Sequence, residues 1–456
     1  MVRFIFRGLL LAMLGMQISA CGGSDDNEKS EKYDKPYLQF YNGSADSGAV
    51  YVTVDEANNI GSAVYGDATS VVSLEQSDVQ LSFSQQDSDG SSEVLGELSA
   101  NIATGKKLLV VLSGDTSAAN FSAYPIERTE LVSRFRLFAT SVLSTGQDYD
   151  LYLAQSGDTF ADAHLLSSVS EGALTQFESW QAEDSQSFSQ GDYHVYLTLP
   201  GEDTPVFEST DISFQYGTEY TFIIRSSAGA IKNNLELDLV INSSSVNTYA
   251  AIDQAAQFRI YNSLDDKEVS VDIVGAQDEQ RALTIAENAL SEFDAIAHGD
   301  YQLSGKASDD ESFAFSNQLL SLTQGRSKAV VLYENAEQTL DALTFEESHL
   351  PQNVEHDVQV VNVTPDYAAL DVFFVRQNET IATAKYRAQN LAFEHSARLT
   401  VKSGEYEIVI VHNQEDDTQL LLTRSPMLNI DQNENYIVSV ETSTSSPNGY
   451  EVVLLH

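Results

Sequence analysis

Short runs of alternating apolar and polar residues recur four times in the same order along this chain of 456 residues. Each repeat opens with an apolar strand and continues with a second, alternating one. Such alternation is typical of half-buried β-strands, so the chain is constrained to a repeated all-β fold. The first strands are residues 38–42, 135–138, 258–262 and 358–362, and the second strands are residues 50–54, 149–153, 269–273 and 370–374.

Two further strands complete every repeat. One begins at Gly-Asp-Tyr or a close variant, as at 191–193, 299–301 and 404–406, whereas the first repeat has Asp78-Val79. The other is strongly apolar, as in the sequence LLVVL at 108–112, and we expect it to close the core of its unit. No segment is a convincing amphipathic helix, and the best candidate, residues 282–296, is predicted to be strand and loop.

These patterns predict a tandem array of four antiparallel Ig-like or transthyretin-like β-sandwiches. Gly, Asp, Asn and Ser turns separate the strands, and units of roughly 100 residues match the usual size of a sandwich. One or two large barrels are the alternative, against which the fourfold order of strands argues. The predicted units are 37–132, 133–253, 254–352 and 353–456, preceded by a signal peptide at 1–20 and a stalk at 21–36.

The repeats resemble a family of bacterial surface and exported domains of unknown function, which often occur in tandem and are regarded as Ig- or transthyretin-like sandwiches. The fourth unit carries the resemblance best, with VVNVTPD at 360–366 and KSGEY at 402–406, and the first unit has YGDATS at 65–70. The second unit lacks an Asn after its first strand, and the third lacks a clear Tyr-Gly segment. Since these motifs are turns, the resemblance implies a fold and not an activity.

Cys21, the only cysteine, ends a short apolar leader with a basic start. The three residues before it, Ile-Ser-Ala, resemble the lipobox of bacterial lipoproteins. The leader is much shorter than the roughly 20 apolar residues of a membrane-spanning helix, which indicates an export signal. The resemblance implies lipidation of Cys21, and Gly22, in place of a retention aspartate, favours the outer membrane of a Gram-negative bacterium. The alternative is an ordinary secretory peptide, although Ile18 fits its cleavage site poorly.

Residues 22–35 contain almost nothing that a core would bury, so we expect a flexible, hydrophilic stalk. The whole chain has 68 acidic and 24 basic residues, a formal net charge of −44. Such a negative field repels nucleic acid and anionic lipid headgroups, and we therefore expect no nucleic-acid partner. The scattered acids form a solubilising coat or, alternatively, collect divalent cations.

Motifs of catalysis are missing from the sequence. It has no Gly-x-Ser-x-Gly elbow, no phosphate-binding glycine loop and no His-Glu-x-x-His zinc helix. The eight histidines are dispersed, with His349 and His356 in a predicted connection between units and His456 at the end. We therefore predict no catalytic residues, no cofactor and no metal ligands, and a protein that is not an enzyme.

Acidic turns follow the mid-unit strand of every repeat, at 87–90, 202–203, 309–311 and 415–417. Calcium binds several oxygen ligands that converge from such loops. In the other interpretation, Asp and Gly satisfy the geometry of an exposed hairpin turn. None of the four turns has the complete, spaced ligand set of a calcium loop, which favours the turn interpretation.

One aromatic group in the second unit is a candidate ligand platform. Alternation places Tyr152 on the outward side of its strand, and His194 and Tyr196 on the outward side of another. If the two strands are neighbours, these side chains form an exposed surface, joined by Trp180, of the kind that stacks on sugar rings. The alternative is ordinary cover of a sheet surface.

The sequence thus predicts a lipid-anchored envelope protein that acts as a surface spacer, an adhesin or an assembly component. We expect a rod-like stack of units, attached to the membrane through its N-terminal lipid and in contact with a protein or polysaccharide at the cell surface. The alternative is a lipoprotein that binds glycan or another surface polymer with the help of calcium, and a hydrolase is a more distant one.

Overall fold

The computed structural model describes residues 33–56, 58–86, 91–181, 186–275, 279–416, 418–431 and 433–456. Its strands form eight sheets, two for each quarter of the chain, and every sheet takes its strands from one quarter. The all-β class and the sandwich architecture are confirmed. We call the four sandwiches units 1 to 4 in chain order. Apart from strands, the described residues include the short 3₁₀ helices Thr116–Ala118 and Phe160–Asp162.

The strands of each unit are as follows. Unit 1 contains β1 (Tyr37–Asn42), β2 (Val50–Val54), β3 (Asn58–Ala63), β4 (Asp67–Ala68), β5 (Val72–Ser73), β6 (Asp78–Gln86), β7 (Ser92–Asn101), β8 (Lys106–Ser113) and β9 (Asn120–Glu127). Unit 2 contains β10 (Arg134–Ser141), β11 (Tyr149–Gln155), β12 (His164–Val169), β13 (Thr175–Gln176), β14 (Phe188–Ser189), β15 (Gly191–Thr198), β16 (Pro205–Glu208), β17 (Ile212–Phe214), β18 (Glu219–Ser226), β19 (Leu235–Val240) and β20 (Val246–Ala250). Unit 3 contains β21 (Ala256–Asn262), β22 (Val269–Val274), β23 (Gln280–Ile285), β24 (Asp294–Ile296), β25 (Gly299–Ala307), β26 (Ala314–Leu322), β27 (Ser327–Glu334) and β28 (Leu340–Glu346). Unit 4 contains β29 (Glu355–Asn362), β30 (Ala369–Val375), β31 (Tyr386–Ala392), β32 (His395–Lys402), β33 (Gly404–Asn413), β34 (Gln419–Ile430), β35 (Tyr436–Thr442) and β36 (Tyr450–Leu455).

The two sheets of a unit have a common plan. The A sheet contains the first strand and the B sheet contains the second. The A-sheet orders are β4-β1-β8-β9 with β5 also on β1, β13-β10-β18-β19-β20 with β14 also on β10, β24-β21-β27-β28, and β32-β29-β35-β36. The B-sheet orders are β3-β2-β6-β7, β12-β11-β15-β16 with β17 also on β15, β23-β22-β25-β26, and β31-β30-β33-β34.

Each A sheet contains one parallel pair in otherwise antiparallel surroundings. The first strand runs parallel to the strongly apolar strand in β1–β8, β10–β18, β21–β27 and β29–β35. A parallel pair needs a long crossover, which the B-sheet strands provide here. The segment 282–296 is strand and loop as predicted, since it contains part of β23 and all of β24.

A buried asparagine ends the first strand in three of the four units. The side-chain amides of Asn42, Asn262 and Asn362 donate to carbonyl oxygens in β3, β23 and β31 at 3.1, 3.3 and 3.0 Å. Their Oδ1 atoms accept the backbone N–H two residues further on. Unit 2 has Ser141 at this position, and its hydroxyl accepts the backbone N–H of Leu143, two residues further on. The Asn motif therefore fixes the turn after the strand.

The Gly-Asp-Tyr motif is also structural. The hydroxyls of Tyr193, Tyr301 and Tyr406 each donate to the backbone carbonyl four residues upstream at 2.7 Å. This is the arrangement of a tyrosine corner, which ties a sandwich strand to the corner that precedes it. Unit 1 has Val79 in the corresponding place.

Every unit has its own core, and the A sheets in addition pack against each other in two pairs. In β8, Val110 faces the core of unit 1, whereas the next residue, Val111, faces unit 2. The strongly apolar strands are therefore buried on both faces. The 1–2 interface includes Tyr41, Leu109, Val111, Tyr124, Ile126, Phe138, Val142, Ile223 and Val240, and the 3–4 interface includes Tyr261, Ala329, Val331, Tyr333, Phe345, Val361, Val363, Ile437 and Leu455.

The predicted end-to-end stack of units is wrong, because units that are distant in sequence touch each other. Lys402 of unit 4 donates to the Gln86 carbonyl of unit 1 at 2.6 Å, and Lys232 of unit 2 donates to the Asn433 carbonyl of unit 4 at 2.9 Å. In an extended stack, unit 4 would contact unit 3 alone. The 1–2 pair and the 3–4 pair are therefore in contact with each other.

The end of the predicted stalk lies against unit 1. The guanidinium of Arg128 lies 5.5 Å from the ring centre of Tyr33, and Lys35 forms an ion pair with Glu75 at 2.7 Å. Residues 33–36 therefore belong to the folded part of the chain and not to a flexible segment. The rest of the predicted stalk and the leader lie outside the described residues.

Candidate functional sites at the unit interfaces

Buried charged side chains are concentrated where units meet. A buried charge is costly unless it is paired and hydrogen-bonded, so such groups show where the chain has a specific arrangement to maintain. The examples at the two interfaces are Lys107, Glu219, Arg225, Asp238, Arg259 and Glu441.

Asp238 is the centre of one network at the 1–2 interface. Its Oδ2 accepts hydrogen bonds from the Tyr41 hydroxyl of unit 1 at 2.7 Å and from Arg225 Nε at 2.6 Å. Its Oδ1 accepts one from the Thr248 hydroxyl at 2.7 Å, and Arg225 also forms an ion pair with Glu236. Burial and the Asp238 carboxylate raise the pKa of Tyr41 well above its usual value, so its hydroxyl stays a donor.

Lys107 is the centre of a second network at this interface. Its Nζ lies 3.5 Å from Glu219 Oε1 and donates to Asn242 Oδ1 at 2.9 Å, both in unit 2. Within unit 1 it donates to Gln39 Oε1 at 3.2 Å. Arg128 Nε lies 3.0 Å from the same Glu219 oxygen. A lysine, a carboxylate and a carboxamide thus meet in a buried corner between two sandwiches.

The 3–4 interface contains a buried carboxyl group without a cation. Glu441 Oε1 accepts a hydrogen bond from the Tyr261 hydroxyl of unit 3 at 2.9 Å, and its Oε2 accepts one from Ser439 at 2.6 Å. Within the described chain, no lysine or arginine forms an ion pair with it. Burial raises the pKa of Glu441 to about 8, and the nearby acids Glu451 and Asp265 add to the effect. Glu441 is therefore largely a neutral acid at pH 7.

Arg259 occupies another corner of the 3–4 interface. Its Nε donates to Glu347 Oε1 at 2.9 Å, and its Nη2 donates to the Asn435 carbonyl of unit 4 at 2.9 Å. The second Glu347 oxygen accepts a hydrogen bond from Ser327 at 2.7 Å. This network joins units 3 and 4 through the Arg259 guanidinium.

Two clefts open beside the carboxyl ends of the parallel strand pairs, one at each interface. The 1–2 cleft has a volume of about 260 Å³, and the 3–4 cleft has a volume of about 420 Å³. The charged lining of the 1–2 cleft is Asp115 and Lys232, whereas that of the 3–4 cleft is wholly acidic. Neither lining includes a histidine among the described residues. The acids of the 3–4 cleft are Asp265, Asp266, Glu334, Asp366 and Glu441.

The predicted aromatic platform is only partly formed. Its two strands are neighbours, and Tyr152 lies directly opposite Tyr196. However, Tyr196 is only 2% exposed, because Phe160 from a 3₁₀ turn covers it at 5.3 Å between ring centres. The expected exposure of Tyr196 is therefore wrong, and the tyrosines serve as sheet cover here.

The other two members of the platform have different surroundings. His194 lies beside Tyr196, with its Nε2 2.8 Å from Asp211 Oδ1. Trp180 is half-buried, and its ring contacts are with His164 at 4.2 Å and Phe188 at 5.8 Å between centres. Trp180 therefore packs at the edge of the unit 2 core instead of extending the tyrosine pair.

The acidic turns use their carboxylates within the turn. Asp310 Oδ1 accepts hydrogen bonds from the backbone and hydroxyl of Ser312, and Asp416 Oδ1 does the same with Thr418. These hydrogen bonds lower the pKa of both aspartates. The described residues contain no group of three or more His, Cys, Asp or Glu side chains placed to hold a metal ion. The turn at 87–90 and Asp417 lie outside the described residues.

The lipidation site Cys21 also lies outside the described residues. Over the part of the chain that the structure describes, there is no helix with the length and apolar character needed to cross a membrane.

Sequence reasoning missed the interface residues that are central to both pairs. Tyr41 and Tyr261 are each the penultimate residue of a first strand, one position before the buried asparagine. The available signal was the run of apolar residues without alternation in the strongly apolar strand of each unit, because a strand buried on both faces has this pattern. Nothing local in the sequence identifies the sheet that covers the second face.

Unit 1 is similar to a known family of domains. A family described as "Domain of unknown function (DUF4397)" matches residues 36–134, which is unit 1 with the residues that flank it. No curated protein sequence matches the chain.

Three solved structures show partial likeness to the chain. The Bacillus anthracis TIE protein is 7% identical with a TM-score of 0.17, over 86% of this chain and 65% of its own, so the chain spans less than two thirds of that protein. A proposed cell adhesion protein from Bacteroides fragilis NCTC 9343 is 7% identical with a TM-score of 0.14, over 44% and 97%. A tetra-tandem repeat in the extending region of a large adhesion protein is 12% identical with a TM-score of 0.11, over 87% and 99%. TM-scores this low support no conclusion about function.

Proposed function

We propose that this protein is a non-enzymatic, lipid-anchored component of the cell surface that acts as a rigid adhesion or spacer body. The observation that carries the proposal is the use of the buried charges. Lys107 and Glu219 form an ion pair between units 1 and 2. The buried pairs Arg225–Asp238 and Arg259–Glu347 lie within units 2 and 3, and each network is hydrogen-bonded to the neighbouring unit, through the Tyr41 hydroxyl and the Asn435 carbonyl respectively. Specific buried ion pairs favour one arrangement of surfaces over others, which suits a structural body.

The attachment to the membrane rests on the leader and on Cys21. If Cys21 is lipidated, the folded part lies close to the bilayer, because the residues from Cys21 to Tyr33 span at most about 40 Å when fully extended. The net charge of −44 keeps the body away from anionic headgroups. A short tether and a repelled, rigid body together present the outer surfaces of the units to the surroundings.

The experiment uses a deletion strain of the source bacterium, complemented with the wild-type chain, with Cys21→Ser or with the control Ser24→Ala. We expect palmitate labelling of the wild type and the control, and none of Cys21→Ser. We also expect the deletion and Cys21→Ser strains to attach less well to a solid surface than the wild type. Protease shaving of intact cells measures how much of the protein is exposed on the cell surface. Palmitate labelling that persists in Cys21→Ser would refute the anchor, and unchanged attachment of the deletion strain would refute the adhesive role.

A further inference from the structure

We propose that Lys107 of unit 1 and Asn242 of unit 2 form an intramolecular isopeptide bond, with Glu219 as the proton acceptor. This modification goes beyond the proposed function, since it would covalently join two sandwiches whatever the protein binds. It is inferred from one buried corner of the 1–2 interface.

The geometry brings the three reacting groups together. Lys107 Nζ lies 2.9 Å from Asn242 Oδ1 and 3.5 Å from Glu219 Oε1. Lys107 and Glu219 are 1% and 2% exposed, and Asn242 is half-buried. The amine is therefore held by a hydrogen bond at the carboxamide whose carbon it must attack, which gives the two groups a high effective concentration. Because Asn242 is partly exposed, the ammonia released from its side chain can reach solvent.

The electrostatic surroundings favour a reactive amine. Burial lowers the pKa of Lys107, and the second cation, Arg128, lowers it further, whereas Glu219 opposes the change. Burial alone would raise the pKa of Glu219, but Lys107 and Arg128 outweigh burial and lower it. Glu219 Oε1 is buried and accepts no well-aligned hydrogen bond, although it faces the lysine. It is therefore placed to take a proton from Nζ.

Two neighbours hold the carboxamide in place. Gln39 Nε2 donates to the carbonyls of Ile241 and Ser243 at 2.7 and 3.3 Å, which fixes the residues on either side of Asn242. Asn242 Nδ2 donates to the Thr218 hydroxyl at 2.7 Å. That hydroxyl in turn donates to Glu219 Oε2 at 3.0 Å. A hydrogen-bonded path thus connects the leaving nitrogen to the proton acceptor.

The reaction balances without any further reactant. The Lys107 ammonium gives one proton to Glu219, and the neutral amine forms a bond to Asn242 Cγ. As the bond from Cγ to Nδ2 breaks, a second Nζ proton reaches Nδ2 through Glu219 and Thr218, and ammonia leaves. Glu219 then releases the first proton to ammonia or solvent and returns to a carboxylate. The product is a neutral amide in place of the buried Lys107 ammonium, so the free-energy cost of burying that charge is removed.

The 3–4 interface provides an internal contrast. Its cation beside a buried carboxylate is Arg259, which pairs with Glu347. A guanidinium stays protonated and is not a nucleophile under these conditions. The same reaction is therefore not expected between units 3 and 4.

The test is peptide mapping of the purified full chain by mass spectrometry after trypsin digestion. An isopeptide bond blocks cleavage after Lys107, so we expect a branched peptide that joins residues 107–128 to residues 233–259, lighter than the sum of the two by one ammonia. We expect this peptide in essentially every molecule of the wild type. It should be absent in Lys107→Arg, Asn242→Ala and Glu219→Gln, and retained in the control Lys106→Arg, which changes the exposed neighbouring lysine.

A second measurement covers variants that fail to fold. A specific protease site is inserted between Thr129 and Glu130, in the connection between units 1 and 2. After cleavage, we expect the wild type to run as one species on a denaturing gel and Lys107→Arg to separate into two fragments. Normal cleavage after Lys107 in folded wild-type protein, or two fragments from the cleaved wild type, would show that the corner is only an ion pair and would overturn the proposal.

Discussion

Units 1 and 2 and units 3 and 4 form two pairs with the same architecture, but the pairs neutralise one buried carboxyl group of the interface differently. In both, a tyrosine near the end of the first strand donates to a buried carboxyl group of the partner unit, from Tyr41 to Asp238 and from Tyr261 to Glu441. Asp238 also contacts the guanidinium of Arg225. Glu441 has no such cation within the described chain and holds a proton instead.

The two pairs show that the same packing of sheets can enclose a carboxyl group that is either ion-paired or protonated. A buried carboxylate can be offset by a cation, at the cost of removing a second charge from water, or it can be protonated. The first solution is insensitive to moderate changes of pH, whereas the second depends on pH near the pKa of the group. The two pairs should therefore differ in their response to alkali although their sheets pack alike.

The largest expected effect comes from removal of the cation in the 1–2 pair. Arg225→Met leaves Asp238 and Glu236 buried without their ion-pair partner, and we expect a loss of about 3–5 kcal/mol in the free energy of unfolding. Trp180, the only tryptophan, lies in unit 2, so its fluorescence during urea unfolding reports on this pair.

The matched control is Arg281→Met, which removes a partly exposed ion pair with Asp294 in unit 3 and is followed by calorimetry, since Trp180 reports on unit 2. We expect a loss of at most about 1 kcal/mol from this change. Equal losses from the two substitutions would contradict the structural role of the buried pair.

The next effect concerns the proton of Glu441. The folded chain holds this proton up to about pH 8, whereas the unfolded chain releases it near the ordinary value of 4.5. Between these values a rise in pH therefore favours unfolding of the 3–4 pair, by up to about 1.4 kcal/mol per pH unit. Glu441→Gln should abolish this slope. The measurement is calorimetry at several pH values, and it uses the unfolding transition that Trp180 fluorescence does not follow. If stability depended on pH in the same way in Glu441→Gln, Glu441 would not be the group that holds the proton.

The smallest effect distinguishes the two tyrosines at pH 6. Tyr41 donates to an ion-paired carboxylate, and a hydrogen bond to a charged group contributes about 1.5–3 kcal/mol. Tyr261 donates to a protonated acid at this pH, and a neutral hydrogen bond contributes about 0.5–1.5 kcal/mol. We expect Tyr41→Phe to cost more than Tyr261→Phe in urea unfolding at pH 6. A larger loss from Tyr261→Phe would show that Glu441 is charged.

The strands and the class of the fold could be predicted from the sequence because alternation is a local signal. The segment 282–296 illustrates this, since its β-branched and polar residues fall in β23, β24 and the loop between them. The parallel pairing of β1 with β8 could not be predicted in this way, because the whole B sheet lies between the two strands. Only the tertiary fold determines such pairing.

The candidate sites were harder to predict for a related reason. Alternation correctly placed Tyr152 and Tyr196 on one face, but the cover that Phe160 provides comes from a loop with no periodic pattern. The partnership of Lys107 with Asn242 joins residues far apart in the chain and in different units. Side chains that meet across an interface leave no spacing in the sequence that would identify them.

The chain consists of two face-to-face pairs of units, in which the carboxyl group bound by the first-strand tyrosine is neutralised by a cation in one pair and by a proton in the other. Hydrogen exchange of the wild-type chain at pH 6 and pH 9, corrected for intrinsic rates and read peptide by peptide, tests this difference most directly. We expect β21, β27, β29 and β35 to lose protection together at pH 9, while β1, β8, β10 and β18 keep theirs. An equal loss of protection in all four units, or a loss in unit 3 without unit 4, would contradict it.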